Sequence, residues 1–249
     1  MTGPAVAVIP ARYGSTRFPG KPLIDLCGVP MVVRVAQRAA QASSIRAVIV
    51  ATDDPRIAAA VDEAGFTAVT TPADCPSGTD RVASAIQVAK LEAELIVNVQ
   101  GDEPLIDPAD IDAVVEETAA SSASMGTLAR PFDDPRRFDD PNCVKVVIRA
   151  DGRALYFSRA PIPHGGGEPR LQHVGLYAYT PSVLNQLTSA PPAPLEESER
   201  LEQLRALHMG IDIHVAMARS ATPSIAVDTP EDVQRVVEAL EQSRNTRAE

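Results

Sequence analysis

The feature that most constrains this chain is a series of short, unbroken apolar runs in its first half, each followed by a helical pattern. Val6 to Pro10, Ala47 to Ala51 and Leu95 to Val99 are apolar at nearly every position. That pattern suits strands buried on both faces, whereas a strand with one wet face alternates. Between them, Pro30 to Ser43 carries Met31, Val35, Ala39 and Ala42 at helical spacing. Asp54-Pro55 then opens a helix that Gly65 stops, with Asp as N-cap and Pro at the first helical position. A further helix is expected from about Gly78 to Leu91, and Pro108 starts another after the polar turn Gln100-Gly101-Asp102-Glu103-Pro104. Such alternation predicts an α/β fold, a mainly parallel sheet flanked by helices with right-handed crossovers, whose ligands sit beyond the carboxyl ends of the strands. Arg12, Thr52 and Asp102 all fall at such ends. Trp is absent and aromatics make up 4% of the chain, so Val, Ile, Leu and Ala must build the core.

After Met125 the pattern changes. Met125 to Ala129, Val144 to Arg149, Ala154 to Ser158 and His173 to Tyr179 read as strands joined by Pro- and Gly-rich loops, hence as mixed or antiparallel sheet. Pro161 to Pro169, with glycines at 165–167, is too short to link domains and reads as a loop beside the sheet. Pro191-Pro192-Ala193-Pro194 precedes a helix expected from Leu195 to Met209. A strand from Ile213 to Ala218 and a helix from Thr229-Pro230-Glu231 complete the chain. The 249 residues read as a single domain, 1–249, with a strand-rich part at roughly 125–215.

A net charge of −10 argues against nucleic acid or an anionic membrane as partner, since both need clustered Lys and Arg. An anionic substrate must then find local cations. Cys27, Cys75 and Cys143 are odd in number and lack CxxC spacing, so they read as structural thiols rather than a disulfide framework or zinc site. The first apolar run is too brief for a signal peptide, and Val174 to Leu195, though uncharged, is broken by turn formers. The expectation is a cytoplasmic protein.

The loop Arg12-Tyr13-Gly14-Ser15-Thr16-Arg17-Phe18-Pro19-Gly20-Lys21 places glycines, hydroxyls and three cations directly after the first strand. Glycine lets backbone approach closely, amides and hydroxyls donate, and Arg and Lys neutralise phosphate charge, so the loop reads as a phosphate cradle. It is neither a Walker A motif, since Pro22 stands where the magnesium-binding Ser or Thr belongs, nor a GxGxxG fingerprint. Metal ligands must therefore come from elsewhere. Asp102, just past an apolar strand, is placed to hold a hard cation against phosphate oxygens. Asp228, between Ile225-Ala226-Val227 and Thr229-Pro230-Glu231-Asp232, reads equally as a second ligand or as the N-cap of the last helix.

Several segments in order resemble the 3-deoxy-manno-octulosonate cytidylyltransferase family. They are Ile9 to Leu23, Ser77-Gly78-Thr79-Asp80-Arg81, Asn98 to Pro104, Ala154 to Arg159, His173-Val174-Gly175-Leu176-Tyr177, Leu201-Glu202-Gln203-Leu204-Arg205 and Val227 to Asp232. The resemblance implies a nucleotide-diphosphosugar transferase-like fold, a homodimer, and magnesium-dependent transfer of CMP from CTP to a 3-deoxy sugar acid, 3-deoxy-D-manno-octulosonate (Kdo). It implies that Arg12, Ser15 and Lys21 meet the triphosphate, that Asp102 and Asp228 ligate magnesium (Mg2+), and that Ser77, Gly78 and Arg81 belong to the nucleotide site.

By the same resemblance Gln100, Arg159, His173, Tyr177, Glu202 and Gln203 line the sugar-acid site. Arg suits a carboxylate, and Tyr, His, Glu and Gln can divide hydroxyls between donors and acceptors. Structural readings stand beside these: a surface ion pair for Arg159, an ordinary helix face for Glu202 and Gln203, and a shared core for His173 and Tyr177, four apart on one strand face. Two departures from the family pattern bear on the substrate. The loop from Pro161 to Arg170 is short and glycine-rich, and Asp80 stands where Glu is more familiar. A related acid, such as 8-amino-Kdo or a nonulosonic acid, is the alternative substrate. A non-catalytic sugar- or nucleotide-binding regulator would predict disruption at Arg12, Lys21, Asp102 or Asp228, and all four are intact.

Overall fold

A computed structural model describes residues 5–14, 18–165 and 170–246. The first apolar run forms β1 (Ala5–Ala11), which lies parallel to β2 (Ile45–Thr52) on one side and β4 (Leu95–Asn98) on the other, with β3 (Thr67–Thr70) parallel outside β2. Both faces of β1 are buried, as its composition requires. Ala5, Ala7 and Ile9 pack with α1 (Met31–Ala39) and α4 (Pro108–Ala120). Val6 and Val8 pack on the other face with α3 (Gly78–Ala89). α2 (Pro55–Glu63) begins as its sequence predicts, with the Asp54 carboxylate accepting from the Arg56 amide and Pro55 first in the helix.

The second half adds the antiparallel strands. β8 (Leu171–Tyr179) runs antiparallel to β4, β5 (Met125–Pro131) antiparallel to β8, and β9 (Ile213–Met217) parallel to β5. β6 (Lys145–Ile148) pairs with β8 and with β7 (Ala154–Ser158). Among the described residues the sheet has nine strands, with β3-β2-β1-β4-β8-β5-β9 as its main order. The mixed sheet flanked by helices is thus the one expected.

β3 and α5 (Pro181–Ser189) add to the elements expected from the sequence, as do 3-10 turns at Lys21–Leu23 and Pro135–Asp139. α5 carries an ordinary start signal, the Thr180 cap followed by Pro181. The expected helix from Leu195 to Met209 is corrected to two, α6 (Pro194–Glu199) and α7 (Gln203–His208). Arg200 between them adopts φ 54. The carbonyls of Glu199 and Arg200, which a continuous helix would use internally, instead accept from the Arg159 guanidinium at 2.8 and 3.4 Å. The last helix, α8 (Pro230–Thr246), packs Val236 with Leu26, Met31 and Val227 in a small separate cluster beside the strand ends.

Candidate active site

The site begins where β1 and β4 end. A Cβ on Gly101 would lie 2.7 Å from the Pro10 carbonyl oxygen, so only glycine lets the turn after β4 cross this close to β1. That crossing puts Asp102 beside Lys21, which follows Gly20 (φ 75) and opens a 3-10 turn, Lys21–Leu23. The Lys21 ammonium donates to Asp102 Oδ2 at 2.8 Å, to the Val227 carbonyl at 2.9 Å and to Asp228 Oδ1 at 3.4 Å. The Val227 amide donates to the Asp102 carbonyl at 2.9 Å, which fastens the two acidic segments together.

The cap of α8 is not Asp228. Thr229 and Asp232 fill that role, the Asp232 carboxylate accepting from the amides of Asp228 and Thr229 at 3.1 and 3.0 Å. The Asp228 carboxylate therefore turns toward Lys21. Two carboxylates from distant parts of the chain thus converge on one cationic group. Such a donor pair fits magnesium, which takes one or two carboxylates and completes its shell with phosphate oxygens and water. Among the described residues no group of three or more His, Cys, Asp or Glu forms a larger metal seat.

The opposite wall is the start of α3. Ser77 and Asp80 close a capping box: the Ser77 hydroxyl donates to the Asp80 carboxylate at 2.6 Å and accepts from its amide at 3.1 Å. The shorter Asp thus completes this box without a Glu. Its first-turn amides and the positive end of the helix dipole make this wall attractive to anions. Arg81, 3% exposed, is held by Thr71 at 2.7 Å and Asp53 at 3.5 Å. Arg12, Lys21, Asp102 and Asp228 line a cavity of about 270 Å³ together with Ser77, Gly78, Arg81 and Gln100. Ser15 lies outside the described residues.

A second cavity of about 280 Å³ adjoins the first, and Gly78 and Gln100 line both. Tyr177, Glu202 and Gln203 contribute to it as the resemblance implies, joined by Thr79, Asn98, Tyr179 and Arg205. Gln203 is buried and its Nε2 has no hydrogen-bond partner among the described residues, leaving a donor for a ligand. Burial pushes the Glu202 carboxyl up, against the pull of the Thr79 hydroxyl. Burial likewise raises the phenols of Tyr177 and Tyr179, whose rings stack at 5.9 Å, so both remain neutral hydrogen-bonding groups.

Two expected acid ligands lie elsewhere. The His173 ring contacts Thr127 Oγ1 through Nε2 at 2.9 Å and meets Phe157 edge-on at 5.0 Å. Burial holds its pKa down at about 3, so it is a neutral core imidazole. Arg159 spends its guanidinium on the carbonyls of Glu199, Arg200 and Pro141. Neither lines either cavity.

Glu103 was not singled out in the sequence, although it stands next to Asp102. Burial, with Asp102 and Asp228 nearby, lifts its carboxyl to about 7. Tyr179 was detectable as the residue two beyond Tyr177 on the same strand face. Asn98 and Thr79 carry no comparable signal, because their polar ends face the cavity only through the packing of β4 against β8 and α3.

A cavity lined by cations and two carboxylates, sharing Gly78 and Gln100 with a second cavity, suits a nucleotidyltransferase, with room for a donor on one side and an acceptor on the other. The sequence profile of the cytidylyltransferase family matches residues 6–213. A 3-deoxy-manno-octulosonate cytidylyltransferase of Serratia proteamaculans (strain 568) is 48% identical over 246 residues, covering 94% of this chain and 98% of that protein. One from Anaeromyxobacter dehalogenans (strain 2CP-C) is 50% identical over 232 residues, 92% of this chain and 94% of that one. The chain belongs to this family, the 3-deoxy-manno-octulosonate cytidylyltransferases, as its motifs implied. A solved CMP:2-keto-3-deoxy-manno-octonic acid synthetase in complex with CTP superposes with a TM-score of 0.89 at 40% identity, covering 96% of this chain and 99% of that one. A cytidylyltransferase structure from Leptospira borgpetersenii, at 16% identity and TM-score 0.62, shares the fold.

Proposed function

We propose that the protein transfers CMP from CTP to the anomeric hydroxyl of Kdo, releasing pyrophosphate. The observation that carries this reading is the wall common to the two cavities: with CTP in the first and the sugar acid in the second, Gly78 and Gln100 lie between the groups that must react. The names of the relatives, and CTP in the neighbouring structure, support the choice of substrates.

In this reading Arg12, Lys21, Arg81 and the first amides of α3 bind and neutralise the triphosphate, and Ser77 holds the α3 end in place. Asp102 and Asp228 would hold magnesium, which when bound would supply positive charge to offset that of the reacting groups. Tyr177, Glu202, Gln203 and Gln100 orient the acid so that its anomeric oxygen faces the α-phosphorus. The new bond is C–O–Pα; the bond from Pα to the bridging oxygen breaks, pyrophosphate departs with that electron pair, and the hydroxyl proton passes to water. Catalysis is chiefly positioning, so no serine triad is needed. A homodimer, a cytoplasmic location and a role in making activated sugar acid for lipopolysaccharide or a related surface glycan accompany the proposal.

The test is pyrophosphate release with CTP, UTP, ATP and GTP, each with and without Kdo, followed by 8-amino-Kdo and a nonulosonic acid in place of Kdo. Release that depends on CTP and Kdo together supports the reading. Faster turnover of another acid would replace Kdo as substrate, and release indifferent to any acid would end the proposal.

A further inference from the structure

The segment Leu201-Glu202-Gln203-Leu204-Arg205 ends in a cation that the proposed reaction leaves unused. Arg205 lines the second cavity and sits on α7, the helix that Gln203 opens. All three of its nitrogens donate within the protein. Nε and Nη2 donate to Glu196 Oε2 and Oε1 at 2.8 and 2.5 Å, a two-pronged pair whose side chains are 14% and 12% exposed. Nη1 donates to the Leu187 carbonyl at 2.9 Å and the Ala190 carbonyl at 3.3 Å, at the end of α5. Glu196 also accepts from the Ala193 amide at 3.0 Å, at the start of α6. One side chain therefore ties α7 to the end of α5 and the beginning of α6. From the other side Arg159 holds the Glu199 and Arg200 carbonyls. Glu202 and Gln203 lie in the short stretch between these two clamps.

We propose that Arg205, through Glu196, is a positioning residue for the sugar acid: it fixes α7 so that Glu202 and Gln203 meet the substrate, and it does not itself take the substrate carboxylate. Moving the guanidinium to a ligand would strand Glu196 as a largely buried, unpaired charge, which a protein tolerates poorly. The proposal rests on the second cavity being the acid site.

The experiment is steady-state pyrophosphate release with CTP and Kdo for Glu196→Gln, Arg205→Gln, Arg205→Lys and the Glu196→Gln/Arg205→Gln double variant, with a thermal melt of each to verify folding. Glu196 does not line the cavity. Glu196→Gln is expected to raise KM for Kdo about tenfold, the loss of about one well-placed hydrogen bond, while KM for CTP changes less than about twofold. The double variant is expected to be no worse than the worse single one, because both break the same link. If Glu196→Gln leaves or lowers KM for Kdo while Arg205→Gln raises it, Arg205 binds the carboxylate directly and the proposal fails. Additive effects, or equal rises in both KM values, also overturn it. Should Glu196→Gln not fold, Arg205→Lys puts the same question: a single ammonium cannot replace the fork, so positioning requires KM for Kdo to rise and a retained KM refutes it. Glu202→Ala checks the underlying assignment separately, since an unchanged KM for Kdo there faults the cavity reading rather than the pair.

Discussion

His173 offers a direct way to separate a core residue from a ligand. The unfolded imidazole titrates near its ordinary value of about 6.5, whereas in the fold burial holds it at about 3. Between those values the unfolded chain binds more protons than the native one, so stability rises with pH and is lost as pH falls from 6.5 toward 3. Integrating that difference from pH 7 to pH 5 gives a loss of about 2 kcal/mol. Because pH 5 lies well above the folded pKa, this loss depends almost wholly on the unfolded one. The assay is urea unfolding of the wild type and of His173→Gln at both pH values. Carboxylates titrating in both proteins cancel in the comparison. Wild type is expected to lose about 2 kcal/mol more than the variant between pH 7 and pH 5. Equal losses would mean that the imidazole is protonated in the fold, which contradicts its burial beside Phe157 and Thr127 and returns it to a solvent-facing site.

Asp102→Asn, measured by pyrophosphate release at saturating magnesium, is expected to lower kcat about 100-fold or more; retained turnover would remove Asp102 from the metal seat. Gly101→Ala forces its Cβ against the Pro10 carbonyl and should cost roughly 2 kcal/mol in thermal unfolding, with activity falling in step; a stable, active variant would refute the close crossing as a requirement. Ser77→Ala removes the α3 cap and is expected to cost about 1 kcal/mol, with KM for CTP rising and that for Kdo little changed. Lys145, fully buried, donates to the Asp140 and Arg159 carbonyls at 2.7 and 2.8 Å. Lys145→Met leaves both without that donor and should cost about 2–3 kcal/mol by urea unfolding.

The sequence carried the sheet well because β1, β2 and β4 are apolar on both faces, a pattern few other elements share. It also carried the first cavity in outline, since strand-end residues such as Arg12 and Asp102 announce themselves by following apolar runs, whereas the residues of the second came only through the family resemblance. What it could not carry was direction. Arg159 and Glu202 belong to motifs of equal strength, yet the first turns to main-chain carbonyls and the second to the cavity. The break at Arg200 has no glycine or proline to mark it; there Arg159, forty residues earlier, supplies donors to the carbonyls that helix continuation would need. The sequence likewise leaves open which residue caps α8; Thr229 and Asp232 do so, a choice made by side-chain geometry rather than residue type, and Asp228 lies toward Lys21.

The common wall of Gly78 and Gln100 also bears on what happens after bond formation. Substrates arrive as two molecules that each occupy one cavity, but the product is one molecule spanning both, and each half holds the other at high local concentration. Departure then requires both halves to let go together, so in the proposed reaction the sugar nucleotide should compete with each substrate and its release should weigh heavily on turnover. A stable mimic that joins cytidine to a sugar acid across this wall would exploit the same geometry as an inhibitor.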